Sequence, residues 1–121
     1  MRVLMFQPRF VPLIENDAKF HTIRPVPKRS IEVNDYLSLR YWQDKPYRSK
    51  QIPIRDVMCK AVYRIRIHVW DGRLIIKFAG RAPVVDIKAF ARADGFRSAE
   101  DMAEWWMRTH ELPFEGVMIR W

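Results

Sequence analysis

The chain has 121 residues, enough for one hydrophobic core and too few for two. Its composition, 49% hydrophobic and 30% charged, excludes a disordered chain. A formal net charge of +8 makes a polyanion the first partner to consider, and the scatter of basic residues describes a charged surface, not a tail. Cys59 is the single cysteine, so neither an intrachain disulfide nor a thiolate metal cluster is available. It is expected to be buried in a strand and inert. No segment approaches the ~20 apolar residues of a membrane span. The first apolar run is too short for a signal peptide, and a cytoplasmic protein is expected.

Val3 to Phe6 reads as a short apolar strand. Pro8 to Ile14, opened by proline and carrying Phe10, Val11, Leu13 and Ile14, has the pattern of a short helical turn. Asn16-Asp17 stops it, since Asn tolerates the left-handed conformation. Phe20 to Arg24 reads as a strand, ended by Pro25-Val26-Pro27, and residues 25 to 31 form a stiff basic loop with Lys28 and Arg29. Val33-Asn34-Asp35 is a turn, and Tyr36 to Trp42 alternates as a strand. The polar stretch from Gln43 to Gln51, with Lys45, Arg48 and Lys50, reads as an exposed loop.

Met58 to Val69 is the longest strand candidate. Tyr63, Ile65, Ile67 and Val69 lie on one side and Arg64, Arg66 and His68 on the other, by the period of two. Trp70-Asp71-Gly72-Arg73 supplies a hairpin turn, from which Leu74 to Phe78 returns. Asp86 to Ala93 predicts a short helix with Ile87, Phe90 and Ala91 on one stripe and Gly95 ending it. Ser98 caps a second helix running to about His110, with Asp101 completing a variant capping box. Its stripe is Met102, Trp105 and Trp106, of which adjacent tryptophans at most one is fully in the core, the other being a partly buried edge residue or, as the alternative, a stacking surface. Phe114 to Trp121 is a closing strand. Repeats, low-complexity tracts and linkers are absent, so the expectation is one α+β domain over residues 1–121, dominated by strands.

The hexad Lys19-Phe20-His21-Thr22-Ile23-Arg24 puts an amine, a hydroxyl and a guanidinium within one short segment. A lysine and a threonine this close suit a base and nucleophile pair. With Arg24 they suit equally a cradle for a phosphate or a polar base edge. In a regular strand Phe20, Thr22 and Arg24 share a face, and His21 and Ile23 take the other. Lys19 converges on Thr22 only if it still belongs to an irregular helix–strand junction.

A lysine of ordinary pKa (~10.4) must drop by roughly 3 units to act as a base at neutral pH. Arg24 beside it pushes in that direction, whereas Asp94, if close, pushes the other way. Binding requires no such tuning. Blander roles stand beside these: solvated charges for Lys19 and Arg24, an ordinary strand residue for Thr22, a helix-end turn residue for Asp94. Arg64, Arg66 and His68 read as an exposed strand face, with a supplementary contact to an RNA backbone as the alternative. Trp42, next to the loop of Lys45, Arg48 and Lys50, is the better stacking candidate. His21, His68 and His110 lack metal-site spacing, so neither metal nor cofactor is expected.

Four pieces occur in order: Lys19-x-x-Thr22-Ile23-Arg24; Val33-Asn34-Asp35 before a strand; Phe90-Ala91-x-x-Asp94-Gly95-Phe96-x-Ser98; and Phe114-x-Gly116-x-x-Ile119-x-Trp121. Together they resemble the ASCH family of PUA-like domains, from residue 3 to residue 121. The resemblance implies a small PUA-like β-barrel of about five to six strands with two to three short helices packed around it. It also implies a cleft at the first helix–strand junction, and RNA or a nucleoside or nucleotide as partner. Lys19, Thr22 and Arg24, with Lys28, Arg29 and Trp42, form the candidate binding set. Protein partners are not indicated by the sequence.

One similar branch, the bacterial acetylcytidine amidohydrolases, uses a lysine, a threonine and a glutamate to remove an acetyl group from a cytosine amine. Lys19 and Thr22 match the first two, and Asp94 falls where the glutamate would, as a shorter acid. The catalytic alternative is therefore Thr22 as nucleophile, Lys19 as base and Asp94 assisting. Ribonuclease activity, reported among ASCH-like proteins, is a further alternative without a residue set of its own here. Two turns depart from the family pattern, with Asn16-Asp17-Ala18 before the lysine and Asn34 before the strand aspartate replacing the usual glycines. Asn can adopt positive φ, so both turns are expected to survive.

Overall fold

The computed structural model describes all 121 residues. Strand β1 (Arg2–Met5) leads through a 3-10 turn (Pro8–Phe10) into helix α1 (Val11–Glu15). Strands β2 (His21–Arg24), β3 (Tyr36–Trp42), β4 (Gln51–Met58), β5 (Ala61–Trp70) and β6 (Arg73–Phe78) follow. Helices α2 (Ile87–Ala93) and α3 (Ala99–Thr109) then precede the last strand, β7 (Phe114–Arg120). The fold is α+β, with seven strands where the sequence predicts five or six. They form two open sheets, β1-β3-β4 and β2-β7-β5-β6, and no ladder joins the two into a closed ring. Only β1 and β3 pair in parallel. Every other neighbouring pair is antiparallel.

The extra strand is β4, which sequence reading leaves unassigned between the polar loop and Met58. Pro53 argues against a central strand, and the alternation Ile52, Ile54 breaks phase before Val57. Both features are accommodated because β4 lies at a sheet edge and carries a bulge: Leu39 pairs with Arg55 but Arg40 with Pro53, which leaves Ile54 as the extra residue. The strand predicted over Met58 to Val69 is β5, which starts at Ala61; Met58 is the last residue of β4. The two strands part at Cys59-Lys60, where Cys59 N–H donates to Asp35 O and its own carbonyl accepts from Asn34 N–H. Cys59 is buried as expected, but in this link and not in a strand.

Local turn chemistry is realised closely. Asp71 (φ 51°) and Gly72 (φ 73°) both take the positive φ of a two-residue hairpin turn. Ser98 Oγ accepts from Asp101 N–H at 3.0 Å, and Asp101 reaches back to Arg97 N–H, one residue short of a full capping box. Asn34 (φ 75°) occupies the left-handed region as predicted, whereas at the end of α1 Asp17 (φ 58°) does so in place of Asn16.

One contiguous core draws Leu37 and Leu39 from β3, Ile65 and Ile67 from β5, Ile76 from β6, Ile119 from β7, and Met102 and Trp106 from α3. Trp106 is the fully buried member of the tryptophan pair, and Trp105 is half-buried. Strand β7 runs between β2 and β5 and buries Val117, Met118 and Ile119 in succession, so both of its faces are covered. At Gly116 the backbone of β2 comes so close that an added Cβ would collide with the Arg24 carbonyl oxygen and lie 2.6 Å from the Phe114 ring. Gly116→Ala should therefore destabilise the fold by about 1–3 kcal/mol. The check is a lowered urea midpoint with an unchanged m-value.

Candidate ligand pocket

The geometry of the pocket begins at the end of α1. Ala18 N–H and Lys19 N–H both donate to Leu13 O, at 2.8 and 3.0 Å, while Asp17 takes the left-handed conformation. This turn keeps Lys19 out of β2, the condition under which its side chain and that of Thr22 can serve one cavity. Lys19 Nζ reaches the C-terminus of α2, donating to Asp94 O at 2.5 Å and to Asp94 Oδ1 at 2.9 Å. It also lies 4.9 Å from the centre of the Phe10 ring. The same ring covers Gly95 (φ 100°), where a Cβ would sit 2.8 Å from it. His21 Nε2 is 3.0 Å from Asp94 Oδ1, yet out of line for a hydrogen bond. All three are buried: Lys19 is 3% exposed, Asp94 4% and His21 5%.

On the neighbouring face of β2, Arg24 Nε donates to Thr22 Oγ1 at 3.1 Å, the i, i+2 relation expected of a strand. Arg24 Nη2 donates to Met5 O at 2.6 Å, and the guanidinium lies 4.8 Å from the Phe6 ring centre. These groups line a pocket of about 240 Å³. Lys19, Thr22, Arg24 and Asp94 supply its polar wall; Phe6, Phe10, Phe96, Trp105 and Trp106, with His110, supply the aromatic one. A larger concavity of about 590 Å³ lies over β5 and β6, but it holds none of the buried polar groups and is not the candidate for chemistry.

The electrostatics follow from burial. Desolvation drives the Lys19 amine below its ordinary value; Asp94 opposes this and Arg24 adds to it. Burial likewise brings Arg24 down to about 10, against the pull of Asp94. For Asp94 burial pushes upward, but Lys19 and His21 together outweigh it and hold the carboxyl below its ordinary value. Asp94 is therefore a carboxylate at neutral pH, facing more positive than negative charge. His110 is lowered by burial.

The structure thus brings Lys19, Thr22, Arg24 and Asp94 to one pocket; Asp94 ends α2, as its helix-end reading has it, and also holds the lysine. Lys19 and Thr22 are not bonded to each other, since the amine is engaged by Asp94 and the hydroxyl by Arg24. Lys28 and Arg29 sit on the exposed loop after β2, and Trp42 packs against Tyr47 with ring centres 5.2 Å apart; none of the three lines the pocket. Of the aromatic wall, sequence reading offers only one of Trp105 and Trp106, as an alternative stacking surface; His21 and the phenylalanines escape it.

No helix is long and apolar enough to cross a membrane. No group of three or more His, Cys, Asp or Glu side chains is placed to hold a metal ion. Comparison with protein-family models, with characterised proteins and with solved structures finds no match.

Removing one member of a buried ion pair strands the other. Asp94→Ala should cost about 3–5 kcal/mol of stability, and adding Lys19→Met to that variant should recover part of the loss. Denaturant titrations of the single and double variants check this. Because the folded carboxyl titrates below the unfolded one (about 3.9), its contribution is complete above about pH 4 and is lost as pH falls through the folded value. Stability measured from pH 5 to pH 2 should therefore decline less steeply in Asp94→Asn than in the wild type.

Proposed function

We propose that the chain is an ASCH-like module that binds a nucleoside, or a base turned out of single-stranded RNA, in the pocket between β2 and the α2–α3 pair. One observation carries this reading: a net cationic donor wall, with Lys19 buried and Arg24 half-buried, faces an aromatic wall across about 240 Å³. At ~30 Å³ per water the space equals about eight waters, the scale of a single base. Nucleobases are flat and rich in carbonyl and ring-nitrogen acceptors, which suits Lys19 and Arg24 on one side and rings on the other. The fold has already borne the desolvation of these donors and fixed their direction, so binding requires little further ordering. Two sheets sharing one core, with the α1–β2 junction at the pocket, also support a PUA-like arrangement.

Calorimetric titration with cytidine and with short single-stranded RNA tests this. Arg24→Ala should weaken binding by at least ~1 kcal/mol, about fivefold. Absence of binding to either ligand in low salt would end the proposal.

A second reading, deacylation of a modified cytidine, draws on the depressed Lys19 amine and on the Thr22 hydroxyl in the same pocket. Thr22 Oγ would attack the amide carbonyl, passing its proton to a neutral Lys19. Arg24 would stabilise the oxyanion while the C–N bond breaks and the amine leaves with that proton; water would then release the acyl group from Thr22. As the residues stand, Asp94 holds the base and Arg24 the nucleophile, so this chemistry requires a rearrangement that binding does not. Cytidine release from acetylcytidine should then vanish in Thr22→Ala and in Lys19→Ala. Turnover that survives both substitutions excludes the mechanism.

A further inference from the structure

We propose that the concavity over β5 and β6 is a phosphodiester track, carrying nucleotides that flank the base held in the pocket; its occupant rests on the nucleic-acid reading above. The sheet register places Arg66 of β5 directly opposite Lys77 of β6, and the outward row of β5 also presents Arg64. All three line the concavity of about 590 Å³, together with Glu115. Like charges directly opposite one another on a sheet are destabilising. Glu115 is the cross-strand neighbour of Arg66 on the other side, yet none of the three cations enters an ion pair. Three cations against a single carboxylate thus stand without an internal counter-ion, on a face shaped to receive an external one.

Proximity to the pocket points to which polyanion. Pro25 lines the base pocket and the next residue, Val26, lines the track. Their Cα atoms are ~3.8 Å apart, so the two concavities border one peptide. At the other end of the β5 row stands Trp70, 69% exposed and available to stack on any base. An acidic peptide would satisfy the cations but would use neither the pocket nor the exposed indole. A single strand of nucleic acid uses all three.

The test measures fluorescence anisotropy of a labelled oligocytidine of about ten nucleotides, beside calorimetry with free cytidine and with a polyglutamate peptide. The variant R64Q/R66Q/K77Q should bind the oligonucleotide roughly tenfold or more weakly. Its slope of log affinity against log salt should fall by about 2, as expected for three phosphate contacts. Its cytidine affinity should be unchanged. The variant K45Q/R48Q/K50Q, which removes the same charge from the loop before β4, should retain wild-type oligonucleotide binding. Equal losses in the two variants, no loss in the first, or preference of the wild type for polyglutamate would each overturn the track. Oligonucleotide binding that depends on the three cations in a protein indifferent to cytidine would uphold the track and remove the pocket reading alone.

Discussion

The ion pair of Lys19 and Asp94 is the constraint around which the pocket is built. It joins residues 75 positions apart, clamping the turn after α1 to the last turn of α2. A lysine this deeply buried is tenable as a cation only because two oxygens of one residue accept from it while an aromatic ring faces it. Asp94 is tenable as an anion for the matching reason, since the Lys19 ammonium donates to both its carboxylate and its carbonyl oxygen. Packing and charge are inseparable here, since the Phe10 ring that faces the ammonium also requires the bare backbone of Gly95.

Arg24 extends this constraint to the sheets. Its strand belongs to the four-stranded sheet, yet its guanidinium donates to Met5 in the three-stranded one and covers Phe6. The side chain therefore bridges two layers that no backbone ladder connects. The residue lines the pocket, its guanidinium already oriented by Thr22 and Met5. A ligand acceptor would meet groups held in place by the protein's own hydrogen bonds, which distinguishes this pocket from a surface patch of mobile lysines.

The exposed face of β5 has the opposite character. Arg64 and Arg66 neither span layers nor enter an ion pair, and Arg66 stands directly opposite Lys77 across the ladder. The stability of such a face comes from the apolar side of the same strand, where Ile65 and Ile67 are buried. Strand alternation thus separates a side that holds the fold from a side free to meet a partner.

What could be read from the residues alone was whatever short-range interactions determine. The hairpin at Asp71-Gly72, the Ser98 cap of α3, the alternating β3 and the two helices follow from φ preferences, capping bonds and periodicity acting within a few residues. The set Lys19, Thr22 and Arg24 was visible in the same way, because three polar groups crowd one short segment. Tertiary contacts decided the rest. A proline-bearing strand became an edge through a bulge, and the long strand starts at Ala61 and not Met58 because Cys59 found partners near residue 34. Lys19 turned to Asp94 and not to Thr22. Which partner a buried charge takes depends on the free energy of removing it from water, and that is set by neighbours distant in the chain, which no local pattern records.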